Sequence, residues 1–98
     1  MQCHIAGTAY RENIEDIEPE LNEKDILVFK RELNNKHDEL AILILDKTGQ
    51  KIGYVPKNKN EVIARLMDAG KMIFGKIEQK EWQGKWLKID VRVYMRDM

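Results

Sequence analysis

The chain has 98 residues, 43% of them hydrophobic, and its 17 lysines and arginines balance 17 aspartates and glutamates. A chain of this length predicts one globular domain over residues 1–98 with a single core. Net neutrality excludes a global positive field that would hold the protein along a phosphate backbone, so any nucleic-acid contact must be local. The one cysteine, Cys3, cannot form an internal disulfide. With no opening pattern of basic start, apolar run and small-residue cleavage site, a reducing cytoplasm is the expected location. The longest apolar run, Leu40 to Leu45, falls far short of the roughly 20 residues that cross a bilayer, so no membrane contact is expected.

Gln2 to Ala6 reads as a short opening strand that Gly7 ends. The acidic stretch from Ile14 to Asp25 carries spaced apolar residues Ile14, Ile17 and Leu21. Pro19 interrupts it, so it predicts a loop with a helical turn at most. Asp25 to Glu32 is a strand, apolar on both faces at its start. Ala41 to Leu45 predicts a buried strand; Asp46 to Gln50 reverses the chain through Gly49, and Lys51 to Val55 pairs back as a hairpin. From Asn58 the pattern is helical: Asn60 is placed as the cap, Val62, Ile63, Leu66 and Met67 share the buried face, and Gly70 supplies a left-handed stop.

Two further strands, Met72 to Lys80 and Lys85 to Met95, flank a turn at Gln83 and Gly84. In the last one Leu87, Ile89, Val91, Val93 and Met95 alternate with Lys88, Asp90, Arg92 and Tyr94, as a strand buried on one face requires. Trp82 is expected exposed at the hairpin tip and Trp86 over the outer face. No crossover helix separates the early strands. The expected fold is therefore mainly β with one helix, a small OB-like or SH3-like antiparallel barrel of about six strands.

Between two strands stands a polar cluster, Asn34, Asn35, Lys36, His37 and Asp38. Three separated stretches, HIAGTAY at residues 4–10, LVFKRELNNKHDELAILI at 27–44 and GQKIGYVPKNKNEVIARLMDAGK at 49–71, together resemble the HIRAN domain. That domain stands at the front of animal and fungal DNA translocases that remodel stalled replication forks, and in bacteria also as a stand-alone protein. The resemblance covers nearly the whole chain. It implies an OB-like barrel and, from the animal members, capture of the 3′ end of single-stranded DNA, with terminal bases stacked on aromatic rings and the free 3′-hydroxyl read by a carboxylate.

Carried over residue by residue, Asp38 matches the hydroxyl-reading carboxylate; it accepts a hydrogen bond from O–H and repels a phosphate. A turn-forming aspartate is the structural alternative. Asn34 and Asn35 match the paired polar residues before it, able to donate to phosphate or base edges, or simply to adopt turn geometry. His37 replaces a tyrosine of the animal members with a smaller stacking surface. Tyr10 matches an aromatic that would stack on the terminal base, and Tyr54 replaces a histidine. Lys57 matches a phosphate-binding lysine. Ala9 stands where the animal members carry an arginine, a loss that Arg11 makes good only if its loop bends round. Trp82 is the candidate for stacking a second or third base.

Beside this reading of a DNA-binding, non-enzymatic module stand two others. One is a protein- or RNA-end-binding module on the same fold, and the other a metal-dependent phosphodiesterase built on His37, Asp38 and Asp46. The second needs converging carboxylates or a ligand spacing such as HxxxH, and neither is present, so no metal, cofactor or catalytic residue is expected. The chain also lacks a P-loop. A helicase or nuclease is a candidate partner protein in DNA repair or fork processing; oligomeric state and base preference have no sequence signal.

Overall fold

The computed structural model describes residues 1–96. Its strands are β1 (Gln2–His4), β2 (Ile26–Arg31), β3 (Ile42–Leu45), β4 (Lys51–Tyr54), β5 (Met72–Gln83) and β6 (Trp86–Arg96), with helices α1 (Ile14–Ile17) and α2 (Lys57–Asp68). Short 3₁₀ turns occupy Thr8–Tyr10 and Glu18–Glu20. The six strands make one sheet in the order β1-β6-β5-β2-β3-β4, and every neighbouring pair is antiparallel. The sheet curls until its two edges meet: Ala6 donates to the Tyr54 carbonyl at 2.8 Å and Tyr54 donates to the Ala6 carbonyl at 2.9 Å. A small OB-like barrel results, as expected from the sequence.

Alternation decides which side chains fill it. Leu27 and Phe29, Ile42 and Ile44, Ile73 and Ile77, and Leu87, Ile89 and Val91 all point inward, and Ile5 and Ile52 join them. The acidic segment after the first strand contributes as well. Ile14, Ile17 and Leu21 are buried in the same core, while the acidic residues between them remain at the surface. Val28 and Ile26 on β2 face outward and are exposed, so the apolar start of that strand serves the core with one face only.

Four local expectations need correction. Helix α2 begins at Lys57 behind Pro56, whose fixed φ of −63° suits the end of an extended segment, so Asn60 is not a cap. Asn60 lies inside the helix, 3% exposed, on the face it shares with Ile63 and Ala64, whereas Val62 is 56% exposed. The final turn is displaced by one residue: Gln83 pairs with Trp86, leaving Gly84 and Lys85 as the loop, and Gly84 takes the positive φ of 63° that a II′ hairpin requires at its first position. Met95 has left the core and is exposed. Gly70 does end α2 as read, with φ 92° and the Lys71 amide donating to the Leu66 carbonyl.

Arg31 ties the far end of α2 to the sheet. Its Nε donates to Asp68 at 3.0 Å and its terminal nitrogens reach the Ala41 and Glu39 carbonyls, so the guanidinium also braces the loop that carries the polar cluster. Among the described residues no helix is long and apolar enough to cross a membrane.

Candidate nucleic-acid interface

The polar cluster folds into a compact loop because its side chains replace missing backbone partners. The Asn35 Oδ1 accepts from the amides of His37 at 2.8 Å and Asp38 at 3.0 Å, and the Asp38 Oδ1 accepts from the Leu40 amide at 2.9 Å. These are Asx-type turns, the geometry that asparagine and aspartate favour. The other Asp38 oxygen accepts from Asn60 Nδ2 at 2.8 Å, so the buried helix residue fixes the carboxylate from below. A carboxylate offers about four acceptor positions. Two remain for a ligand.

This loop walls a cavity of about 350 Å³ with Asn35, His37, Asp38, Tyr54 and Lys57, floored by Ala6, Ala41 and Val55. Five of the residues singled out in the sequence thus line one hollow. The chain's reversal at Gly7 (φ 79°) and the 3₁₀ turn that follows, pinned by Thr8 Oγ1 donating to the Leu87 carbonyl at 2.7 Å, bring Arg11 beside Tyr54. Its guanidinium lies 5.7 Å from the centre of the Tyr54 ring, and its buried Nε has no hydrogen-bond partner. The turn thus places Arg11 against the Tyr54 ring, two positions on from Ala9. Tyr10, 89% exposed beside it, stands clear of the cavity with its ring open to solvent.

Asn34 and Trp82 are placed elsewhere. Asn34 lines a neighbouring hollow with Lys30 and Lys51. Trp82 sits on the β5–β6 hairpin, where its Nε1 donates to Glu18 at 3.2 Å beside Pro19. Asp46 is engaged in its own turn, accepting from Thr48 and Gln50; burial acts to raise its pKa, but these bonds outweigh it and hold the carboxyl below its ordinary value. Among the described residues no group of three or more histidines, cysteines, aspartates and glutamates could hold a metal ion.

Two positions that brace this candidate site escape a reading of the sequence. Glu32 accepts from the Tyr54 hydroxyl at 2.7 Å and from Asn35 Nδ2 at 2.8 Å, locking the ring and the loop together. Asn60 does the same for Asp38. The signal for Asn60 was available, since it precedes Ile63 and Ala64 by three and four positions and so shares their buried face. For Glu32 there was only its place at the end of β2.

The Tyr54 hydroxyl, and then Asn35, hold the Glu32 carboxyl below its ordinary value. A depressed carboxyl stabilises the fold fully above its unfolded pKa and loses that contribution as pH falls through the folded one. Thermal melts are therefore expected to drop on acidification below about pH 4, the ordinary glutamate range, and a Glu32→Gln variant should show a shallower drop. Parallel acid profiles for the two proteins would refute this.

The matched region now decides the family. A family model for the HIRAN domain matches residues 1–96. The chain belongs to the HIRAN family. HIRAN domains are nucleic-acid-binding modules rather than catalysts. Two solved structures share this HIRAN fold. A protein from Lactobacillus plantarum is 25% identical with a TM-score of 0.81, the match covering 94% of this chain and 90% of that one. The HIRAN domain of human HLTF is 18% identical with a TM-score of 0.76, over 99% of this chain and 75% of that one. No curated protein matches the sequence.

Proposed function

We propose that the cavity bounded by Asp38, His37, Tyr54 and Lys57 binds the 3′ end of single-stranded DNA and reads its free hydroxyl. The observation that carries this reading is the state of Asp38. Its two oxygens are held by Leu40 and Asn60, leaving a fixed carboxylate with spare acceptor capacity at the wall of a hollow that two rings, a lysine and an asparagine share with an apolar floor. A terminal hydroxyl donates to such a group, whereas an internal or terminal phosphate meets it as a like charge. His37 and Tyr10 offer exposed ring faces to bases, each stack being typically worth about 1 to 3 kcal/mol. Lys57 and Arg11 bring cations to the flanking phosphates.

The neutral chain makes few phosphate contacts, so binding should weaken only gently with salt, by a slope of roughly 0.7 per contact. A reader of 3′ ends would serve in DNA repair or replication-fork processing beside a helicase or nuclease. The test is fluorescence anisotropy with one short 5′-labelled strand ending in 3′-hydroxyl and the same strand ending in 3′-phosphate. Tight binding lost on phosphorylation is expected. Equal binding of both would sink end recognition, and preference for an RNA end would reassign the ligand.

A further inference from the structure

The outer face of the sheet holds a second hollow of about 250 Å³, lined by Lys30, Leu33, Asn34, Leu43 and Lys51 together with Glu32 and Arg31. Glu32 is the partition: it belongs to this wall and also hydrogen-bonds Tyr54 and Asn35 of the end pocket. The two hollows are joined by register as well. Lys30 pairs with Leu43 and Leu43 with Tyr54, so these three side chains form one row on one face, and Lys30 stands two strand spacings, roughly 10 Å, from the pocket ring.

Of the three cations here, Lys30 and Lys51 carry no hydrogen bond or ion pair among the described residues. Arg31 is engaged with Asp68 and two carbonyls, Lys47 with Asp25 and Lys80 with Glu18. Asn34 makes no side-chain hydrogen bond among the described residues. Leu33, 72% exposed, stands on the rim as apolar surface against which a base or sugar can rest. The one carboxylate in the wall, Glu32, accepts both of its hydrogen bonds on Oε1 and has the charge of Lys51 acting on it. The hollow is therefore lined by the charges of Lys30 and Lys51, the Asn34 amide and two leucines, with Glu32 the single opposing charge.

We infer that this hollow is a track for the phosphodiester backbone immediately upstream of the captured end, an inference that rests on the end-pocket reading. Lys30 and Lys51 each neutralise one phosphate, Asn34 donates to a phosphate oxygen, and Leu33 lies against the nucleotide between them. The pocket alone holds the terminal nucleotides; the track adds affinity and salt dependence only when the strand is long enough to reach it. It also explains how a chain with no net charge holds more than an end, because the needed cations are concentrated where the strand leaves.

The experiment compares a 3′-hydroxyl trimer with an octamer, both 5′-labelled, on the wild-type protein and on a Lys30→Gln/Lys51→Gln double variant, with melting curves for both proteins. The variant is expected to bind the trimer as the wild type does and to lose the extra affinity for the octamer. Its octamer salt slope should be lower by about 1.4, two contacts at 0.7 each. An octamer affinity and slope unchanged from wild type would overturn the track, with the strand leaving instead past Tyr10 and Arg11. An equal loss on trimer and octamer would also overturn it, since the charges would then act on the pocket. Failure of the underlying reading shows separately, as wild-type indifference to a 3′-phosphate, before any variant is made.

Discussion

Replacing Asp38 by alanine is expected to weaken binding of a 3′-hydroxyl strand by about 10- to 150-fold, the range given by losing one charge-assisted hydrogen bond of roughly 1.5 to 3 kcal/mol. Binding of the 3′-phosphate strand should fall less or rise, because the repelling charge is gone. The ratio between the two ligands is the decisive quantity. Alanine has a second consequence: it leaves the Leu40 amide and the buried Asn60 amide without their acceptor, so lowered stability could mimic lost recognition.

Asp38→Asn separates the effects. Its side-chain oxygen can still accept from Leu40, and Asn60 can present its own oxygen to the new amide nitrogen, so the loop keeps its shape while the charge disappears. The asparagine variant is expected to melt close to the wild type and still to lose discrimination between hydroxyl and phosphate ends. Retained discrimination in a folded Asp38→Asn protein would remove the carboxylate from the reading and leave it the role of a turn former.

The ease with which this chain could be read differs by the kind of signal. Period-two alternation in β6 and the continuous apolar run in β3 are governed by burial, which acts on each residue almost independently, so the strands and their inward faces were legible. Residues joined by the polar loop were legible too, because Asn35, His37 and Asp38 are near in sequence and make their contacts locally. What the sequence hid depends on long-range placement. Asn60 looked like a cap because asparagine favours that position, and only the docking of α2 beneath Asp38 makes its interior site favourable. Glu32 meets Tyr54 across β3, a pairing set by register. Trp82 looked free for a base, but the acidic turn that packs beside the last hairpin supplies Glu18 to its indole.

Closure of the barrel joins stability to the site, and Gly53 is where this can be measured. A Cβ built on Gly53 would lie 2.4 Å from the Ala6 carbonyl oxygen and 2.6 Å from Ile5 Cγ2. The first is backbone, and that same oxygen accepts from Tyr54 in the bridge that brings the two sheet edges together. It cannot withdraw without opening the bridge. Gly75 offers the internal comparison: its added Cβ would meet Val91 Cγ1 at 2.6 Å and the Phe29 ring at 3.1 Å, core side chains rather than the backbone of the closing bridge. Overpacking typically costs about 1 to 3 kcal/mol and occasionally more. Gly53→Ala is expected at or above the top of that range, and Gly75→Ala below it. For a domain of this size each kcal/mol lowers the melting temperature by roughly 4 to 8 °C, so the difference is easily resolved. Ala6 and Tyr54 also line the end pocket, so Gly53→Ala should weaken DNA binding even at temperatures where it is folded, and Gly75→Ala should not. If Gly75→Ala proves the more damaging, or if Gly53→Ala loses stability but binds normally, the bridge is not what sets the pocket's shape.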